Sequence, residues 1–167
     1  MTHNILSTDV DNDGYYFWGV GERPADLPFW AQEEADGDDS NPLYGALDAY
    51  GNLESISETS YPTLIINTAV VCDEVSHICN DIRIVNGGRL TITADITRGI
   101  TSSITVEDDG ELIIDGGSIT RGSVVVKSNG TMSITGGGEL LLNDSNNFKV
   151  EQGGIYYQLF GKIQIID

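Results

Sequence analysis

A chain of 167 residues is long enough for a sizeable folded domain, and its formal net charge of −18 excludes the usual partners of basic proteins. Nucleic acid and anionic membranes draw their affinity for proteins largely from Lys and Arg, so no nucleic-acid partner is expected and cations are the natural ligands. No apolar run approaches the ~20 residues that span a bilayer, which argues against membrane insertion, and the opening "MTHNILST" lacks the basic and apolar regions of a secretory signal.

The charge is uneven. Residues 1–60 hold thirteen acidic residues and a single base, Arg23, whereas residues 61–167 hold thirteen acidic and seven basic ones. Nine of the thirteen aromatic residues lie at or before Tyr61, and fourteen of the twenty glycines lie after residue 80. Two regions are therefore expected: residues 1–60 as an irregular, Asp-rich, aromatic-containing capping segment, and residues 61–167 as a repetitive β domain.

In "DVDNDGYYFWG", Asp9, Asp11 and Asp13 alternate ahead of Gly14. Oxygens at positions 1, 3 and 5, a glycine at 6 for the sharp turn and a backbone carbonyl at 7, here that of Tyr15, make the first half of a calcium loop. Position 12 is Val20 instead of the bidentate Glu of an EF-hand, so the remaining ligands must come from elsewhere. "DGDDSNP" supplies Asp36, Asp38 and Asp39, with Asn41 nearby. Calcium takes six to eight hard oxygens, and carboxylates held this closely repel one another without a cation. The expected ligand set is thus Asp9, Asp11, Asp13, Tyr15, Asp36, Asp38 and Asp39, with Ca2+ as the cofactor. "YYFW" (15–18) and Phe29-Trp30 read as the apolar residues that fold this segment back on itself and cover the first coil; aromatic platforms for sugar rings are the alternative.

Cys72 and Cys79 stand seven positions apart in "CDEVSHIC", with His77 between them. A disulfide is favoured there over two free thiols or a metal site, and a bridge implies an oxidising compartment. Together with the missing signal sequence, this suggests a mature or excised fragment.

From Ile82 onward the chain repeats itself. "IRIVNGGRLTIT", "ITVEDDGELIID", "VVVKSNGTMSIT" and "FKVEQGGIYYQL" each place apolar residues at alternate positions around a glycine-bearing corner, and each is followed by a third short apolar run. A period of ~20–25 residues signals a solenoid, whose coils bury their apolar faces only by stacking. The predicted fold class is all-β: a short single-stranded right-handed parallel β-helix of about four coils, three strands per coil. Alternation places Ile82, Ile104, Val124 and Phe148 at one inner level, Leu90, Leu112 and Met132 at the next, and Ile96, Ile119 and Leu140 at the third. In the last repeat "IYYQL" reads as slipped by one residue against "RLTIT". The glycines are corner residues, and their spacing fits neither a dinucleotide-binding nor a P-loop motif.

The stretch "DVDNDGYYFWGVG", with the later "PADLPFWAQEEADGDDSNPLYG", resembles the metal-binding motif of bacterial surface proteins and, more distantly, thrombospondin type 3 repeats. The downstream "GGRLTIT", "DGELIIDGGSIT" and "NGTMSITGGGELLL" are similar to the β-helical accessory region of large secreted proteins of Bacteroidetes-type bacteria. The resemblance covers nearly the whole chain. It implies a non-catalytic, extracellular or cell-surface module attached to something larger, with a carbohydrate or a cell-surface protein as candidate partner.

Parallel β-helices also host polysaccharide lyases and hydrolases, which is the alternative reading. Arg98 and Arg121 occupy matching places in "ITRG", and Asp108, Asp109 and Asp115 lie near the neighbouring corners. They read more simply as charged residues of outer faces and turns that keep the stack soluble, and neither histidine has a Ser or Cys nucleophile context. "GKIQIID" closes the last repeat with no polar cap, so further chain or a homodimer through the C-terminal coil is expected to cover it.

Overall fold

Leu64, Ile82, Ile104, Val124 and Phe148 lie in one continuous parallel register, each over the one before. The computed structural model describes residues 7, 9–11, 14–18, 22–32, 34–40, 44–47, 53–55 and 63–166. Two compact units divide the chain, Met1–Ser60 and Tyr61–Asp167.

The first unit contains an antiparallel pair, β1 (Tyr44–Leu47) and β2 (Leu53–Ser55). The second is a parallel β-solenoid of five coils. Its strands are β3 (Leu64–Ile66), β4 (Ala69–Cys72) and β5 (Ser76–Ile78) in the first coil, then β6 (Ile82–Ile84), β7 (Arg89–Ile92) and β8 (Asp95–Arg98). The third coil is β9 (Ser103–Val106), β10 (Glu111–Asp115) and β11 (Ser118–Thr120), and the fourth β12 (Ser123–Val126), β13 (Thr131–Thr135) and β14 (Glu139–Leu142). The fifth is β15 (Phe148–Val150), β16 (Ile155–Gln158) and β17 (Lys162–Ile165). Every third strand stacks into one of three five-stranded sheets, running β3-β6-β9-β12-β15, β4-β7-β10-β13-β16 and β5-β8-β11-β14-β17.

The inner levels are those the alternation predicts. Leu90, Leu112 and Met132 are in register and buried, as are Ile96, Ile119 and Leu140. Two expectations change. Five coils replace four, because the first coil is only 18 residues long, against 22, 20 and 24 for the next three. Its first corner is shortened to residues 67–68 and carries no glycine, so the repeat signature is missing there. The last coil does not slip: Thr131 pairs with Ile155 and Met132 with Tyr156, which keeps Tyr156 inward over a buried methionine.

The corner between the first and second sheets explains the glycines. Gly88, Gly110, Gly130 and Gly154 need no unusual φ, but a Cβ there would run into the carbonyl of Ile66, Ile84, Val106 or Val126 in the coil below. The residue just before each is left-handed: Gly87 (φ 74°), Asp109 (63°), Asn129 (62°) and Gly153 (84°). Those are the residue types that tolerate this region.

Arg98 corrects the sequence reading. It lies two residues beyond Ile96 and so faces inward, 2% exposed, with Ile78 beside it in register. Its Nη2 donates to the carbonyls of Asn80 (2.6 Å) and Ser103 (3.1 Å), while Nε and Nη1 are buried without a hydrogen bond. Burial pulls the guanidinium down to about 10, which still leaves it charged at neutral pH. Arg121, by contrast, is exposed at a corner with φ 70°.

The outer faces carry ion pairs from coil to coil. Glu107 accepts from Arg83 of the coil below and from Lys127 of the coil above. Those two hydrogen bonds, Arg83's first, hold its carboxyl below the usual range. No helix among the described residues is long and apolar enough to cross a membrane.

Candidate metal centre

The first unit draws its two acidic stretches together through its backbone. Tyr16 forms a parallel bridge with Ala35, and Asp36 an antiparallel one with Ala46. The N–H of Asp36 donates to the Tyr16 carbonyl at 3.0 Å and that of Gln32 to the Gly14 carbonyl at 3.1 Å. Gly14 takes a φ of 90°, the left-handed conformation that the sharp turn after "DND" requires. Trp18, Trp30, Ala31 and Ala46 are buried, and Phe29 meets Trp30 edge-on at 5.0 Å. Among the described residues of this unit the two tryptophans are the large buried apolar side chains, whereas Phe17 is 44% exposed.

Asp9, Asp11 and Asp39 each contribute one carboxylate oxygen to a cluster whose three oxygens lie within 4.8 Å of one another. Two ligands of a single calcium ion at 2.3–2.6 Å can be no more than about 5 Å apart, so the spacing fits one ion. Backbone donors fix the carboxylates: Asp39 Oδ1 accepts from the Val10 N–H at 2.7 Å, and Asp9 Oδ2 from the Gly14 N–H at 3.3 Å. Arg23 is the one Lys or Arg in residues 1–60, and its guanidinium donates to the carbonyls of Gln32 and Ala31.

Asp36 stands apart in kind. It is 3% exposed, its Oδ1 accepts from the Asp38 N–H at 2.9 Å, and its Oδ2 is buried with no hydrogen-bond partner. Burial, and after it the charges of Asp11, Asp39 and Asp38, push the carboxyl up to about 6 even though the Asp38 N–H opposes the shift. A carboxylate oxygen so buried is costly unless a proton or a cation satisfies it. The donor set is hard oxygen throughout, which suits calcium or magnesium over softer metals.

The structure therefore brings together Asp9, Asp11 and Asp39, with Asp36 electrostatically coupled to Asp11 and Asp39. Asp38 turns its own Oδ1 to the Ser40 hydroxyl at 2.6 Å and acts on Asp36 through its backbone. Tyr15 lies with its ring over Gly45, where a Cβ would stand 2.7 Å from the ring edge. Asp13 and Asn41 lie outside the described residues. No regular spacing distinguishes Asp36 from Asp38 in "DGDD"; only the bridges to Tyr16 and Ala46 decide which is buried.

The expected disulfide is absent. Cys72 and Cys79 are not bridged to each other. Cys72 ends β4 in the second sheet, buried in register with Ile92, whereas Cys79 follows β5 in the third sheet and sets its sulfur 3.3 Å from Nε2 of His77. Burial first, then Asp73 and Glu74, pushes the Cys72 thiol up to about 12. The cysteine pair therefore lends no support to an oxidising compartment.

The solenoid carries one further feature that the sequence reading passed over. On the outer face of the third sheet, Asp95, Ser118 and Glu139 stand in one register row, Ser118 Oγ donating to Asp95 Oδ1 at 2.8 Å. With Gly116, Gly117 and Gly137 they line a hollow of about 500 Å³. The signal was a polar residue at the same place in "ADIT", "GGSIT" and "GGELLL". Compared with known proteins, the chain matches no family model, no curated protein and no solved structure.

Proposed function

We propose that residues 1–60 form a calcium-binding unit and that the chain is a non-catalytic structural or interaction module, extracellular or at a bacterial surface, of a larger protein. Asp36 carries this reading: a carboxylate 3% exposed with one oxygen unsatisfied, coupled to two members of a three-carboxylate cluster, calls for positive charge. Extracellular calcium modules bind at ~10⁻⁴–10⁻³ M, an affinity matched to calcium outside cells. Calorimetric titration of calcium into the chelator-treated chain tests it. Saturable binding in that range, weakened by Asp11→Asn and by Asp36→Asn, is expected; no saturable binding up to millimolar calcium would sink the reading.

The hollow beside Ser118 favours a second reading, a carbohydrate-binding solenoid. Vicinal hydroxyls of a sugar would donate to Asp95 and Glu139, and Leu141, which lines the same hollow, offers an apolar contact. Binding of soluble glycans that is lost in Ser118→Tyr but indifferent to calcium would favour it.

A further inference from the structure

We propose that Cys79 and His77 form a thiol-exchange site, at which Cys79 reacts with a low-molecular-weight disulfide and is left as a stable mixed disulfide. The two residues stand on either side of Ile78, which is buried at the end of β5. Alternation therefore turns both to the outer face of the third sheet, where each is half-exposed and a small molecule reaches the sulfur. The Cys79 Sγ lies 3.3 Å from Nε2 of His77. At that distance one proton serves both atoms, and an imidazole that takes it leaves a thiolate, the form that attacks.

A buried positive charge favours the same proton transfer. Arg98 pairs in register with Ile78, the residue just before Cys79, and its Nε and Nη1 are buried without a hydrogen bond. None of the salt bridges among the described residues includes it. Burial acts on the guanidinium most; against burial, the charge of Asp81 acts first and that of Cys79 next. Asp81 is already engaged, its Oδ1 accepting from the N–H and the hydroxyl of Ser103 at 2.7 and 2.9 Å. A guanidinium so buried is costly without an anion, and a thiolate at Cys79 supplies part of the missing charge. On β8, the strand packed against β5, Asp95 is the other charged residue, and Thr97 stands beside His77 in register.

The exchange balances without a further reactant. The thiolate attacks one sulfur of the disulfide, a new S–S bond forms as the old one breaks, and the departing thiolate takes the proton that His77 held. No second cysteine resolves the product. Cys72 ends a strand of the second sheet and is buried there, its thiol pushed up to about 12 by burial first and then by Asp73 and Glu74. It supplies no thiolate to displace the adduct, so only an external thiol removes it.

Cystamine added to the intact native chain, followed by peptide mapping of the unreduced protein, tests this. The adduct should form at Cys79 and leave Cys72 untouched. Between about pH 6 and about pH 8 the rate should rise less than about tenfold, whereas a thiol with the ordinary pKa of about 8.5 gains about a hundredfold. At about pH 6 the wild type should react roughly fivefold faster than His77→Asn, an advantage gone by about pH 9, where both thiols are ionised. If His77 merely shaped access to the sulfur, the substitution would change the rate by one factor at every pH. That result, a wild-type rate that follows the ordinary hundredfold rise, or an adduct at Cys72 in place of Cys79 would each overturn the proposal.

Discussion

The backbone N–H of Val10 donates to Oδ1 of Asp39 at 2.7 Å, tying together two acidic stretches 29 residues apart in the chain. The bond uses one oxygen of Asp39 and leaves the carboxylate charge available to an ion. Asp39→Asn keeps the acceptor and removes the charge, so it should preserve the calcium-free fold while weakening calcium binding. Asp39→Ala should lose both, and melting temperatures with and without calcium separate the two effects.

Asp36 makes the calcium-free unit sensitive to pH. Its folded pKa of about 6 lies above the ordinary 3.8, so between these values the native state holds more protons than the unfolded one and stability rises as pH falls. The contribution is fully present below about 4 and lost above about 6, at most roughly 3 kcal/mol for a shift of this size. Asp36→Asn should remove that slope in chelator. Denaturant midpoints that vary with pH identically in wild type and variant would contradict it.

Ile104 and Thr105 test the phase of the solenoid. Ile104 is buried between Ile82 and Val124, whereas Thr105 faces outward beside Arg83. Ile104→Asp buries a carboxylate among apolar neighbours and should cost several kcal/mol, unfolding the domain; Thr105→Asp should stay within about 1 kcal/mol. Circular dichroism melts showing equal tolerance would refute the register.

The two thiols should react very differently. Cys79 is half-exposed, while Cys72 is buried with its pKa pushed up to about 12, and the thiolate is the reactive form. Brief alkylation of the native protein should add one label, at Cys79, and denaturation should release the second. Mass spectrometry showing no label until a reductant is added would mean that the bridge forms after all.

Period-2 alternation makes the solenoid core legible because stacking demands the same inward residue type in every coil: Ile82, Ile104 and Val124 show it directly. Where other terms decide, the pattern misleads. Arg98 sits at an inward position by its spacing from Ile96, yet its charge suggests the surface; hydrogen bonds to Asn80 and Ser103 keep it inside. The Asp-x-Asp spacing points to Asp9 and Asp11, but the burial of Asp36 depends on the bridges Tyr16–Ala35 and Asp36–Ala46, and the approach of Asp39 on a hydrogen bond to Val10, 29 residues away. Local sequence does not encode those contacts. Cys72 and Cys79 are close in the chain, yet one ends a strand of the second sheet and the other lies just past a strand of the third, which spacing alone cannot reveal.

The most direct test of the calcium account is the melting temperature of the acidic unit in the intact chain, followed by tryptophan fluorescence because Trp18 and Trp30 lie buried within it. A ligand bound only by the folded state adds about 2.7 kcal/mol at ~100-fold over its dissociation constant. A melting transition several degrees higher in excess calcium than in chelator is expected, with the difference abolished by Asp9→Asn combined with Asp11→Asn. Superimposable curves in calcium and chelator, or a gain that survives both substitutions, would contradict it.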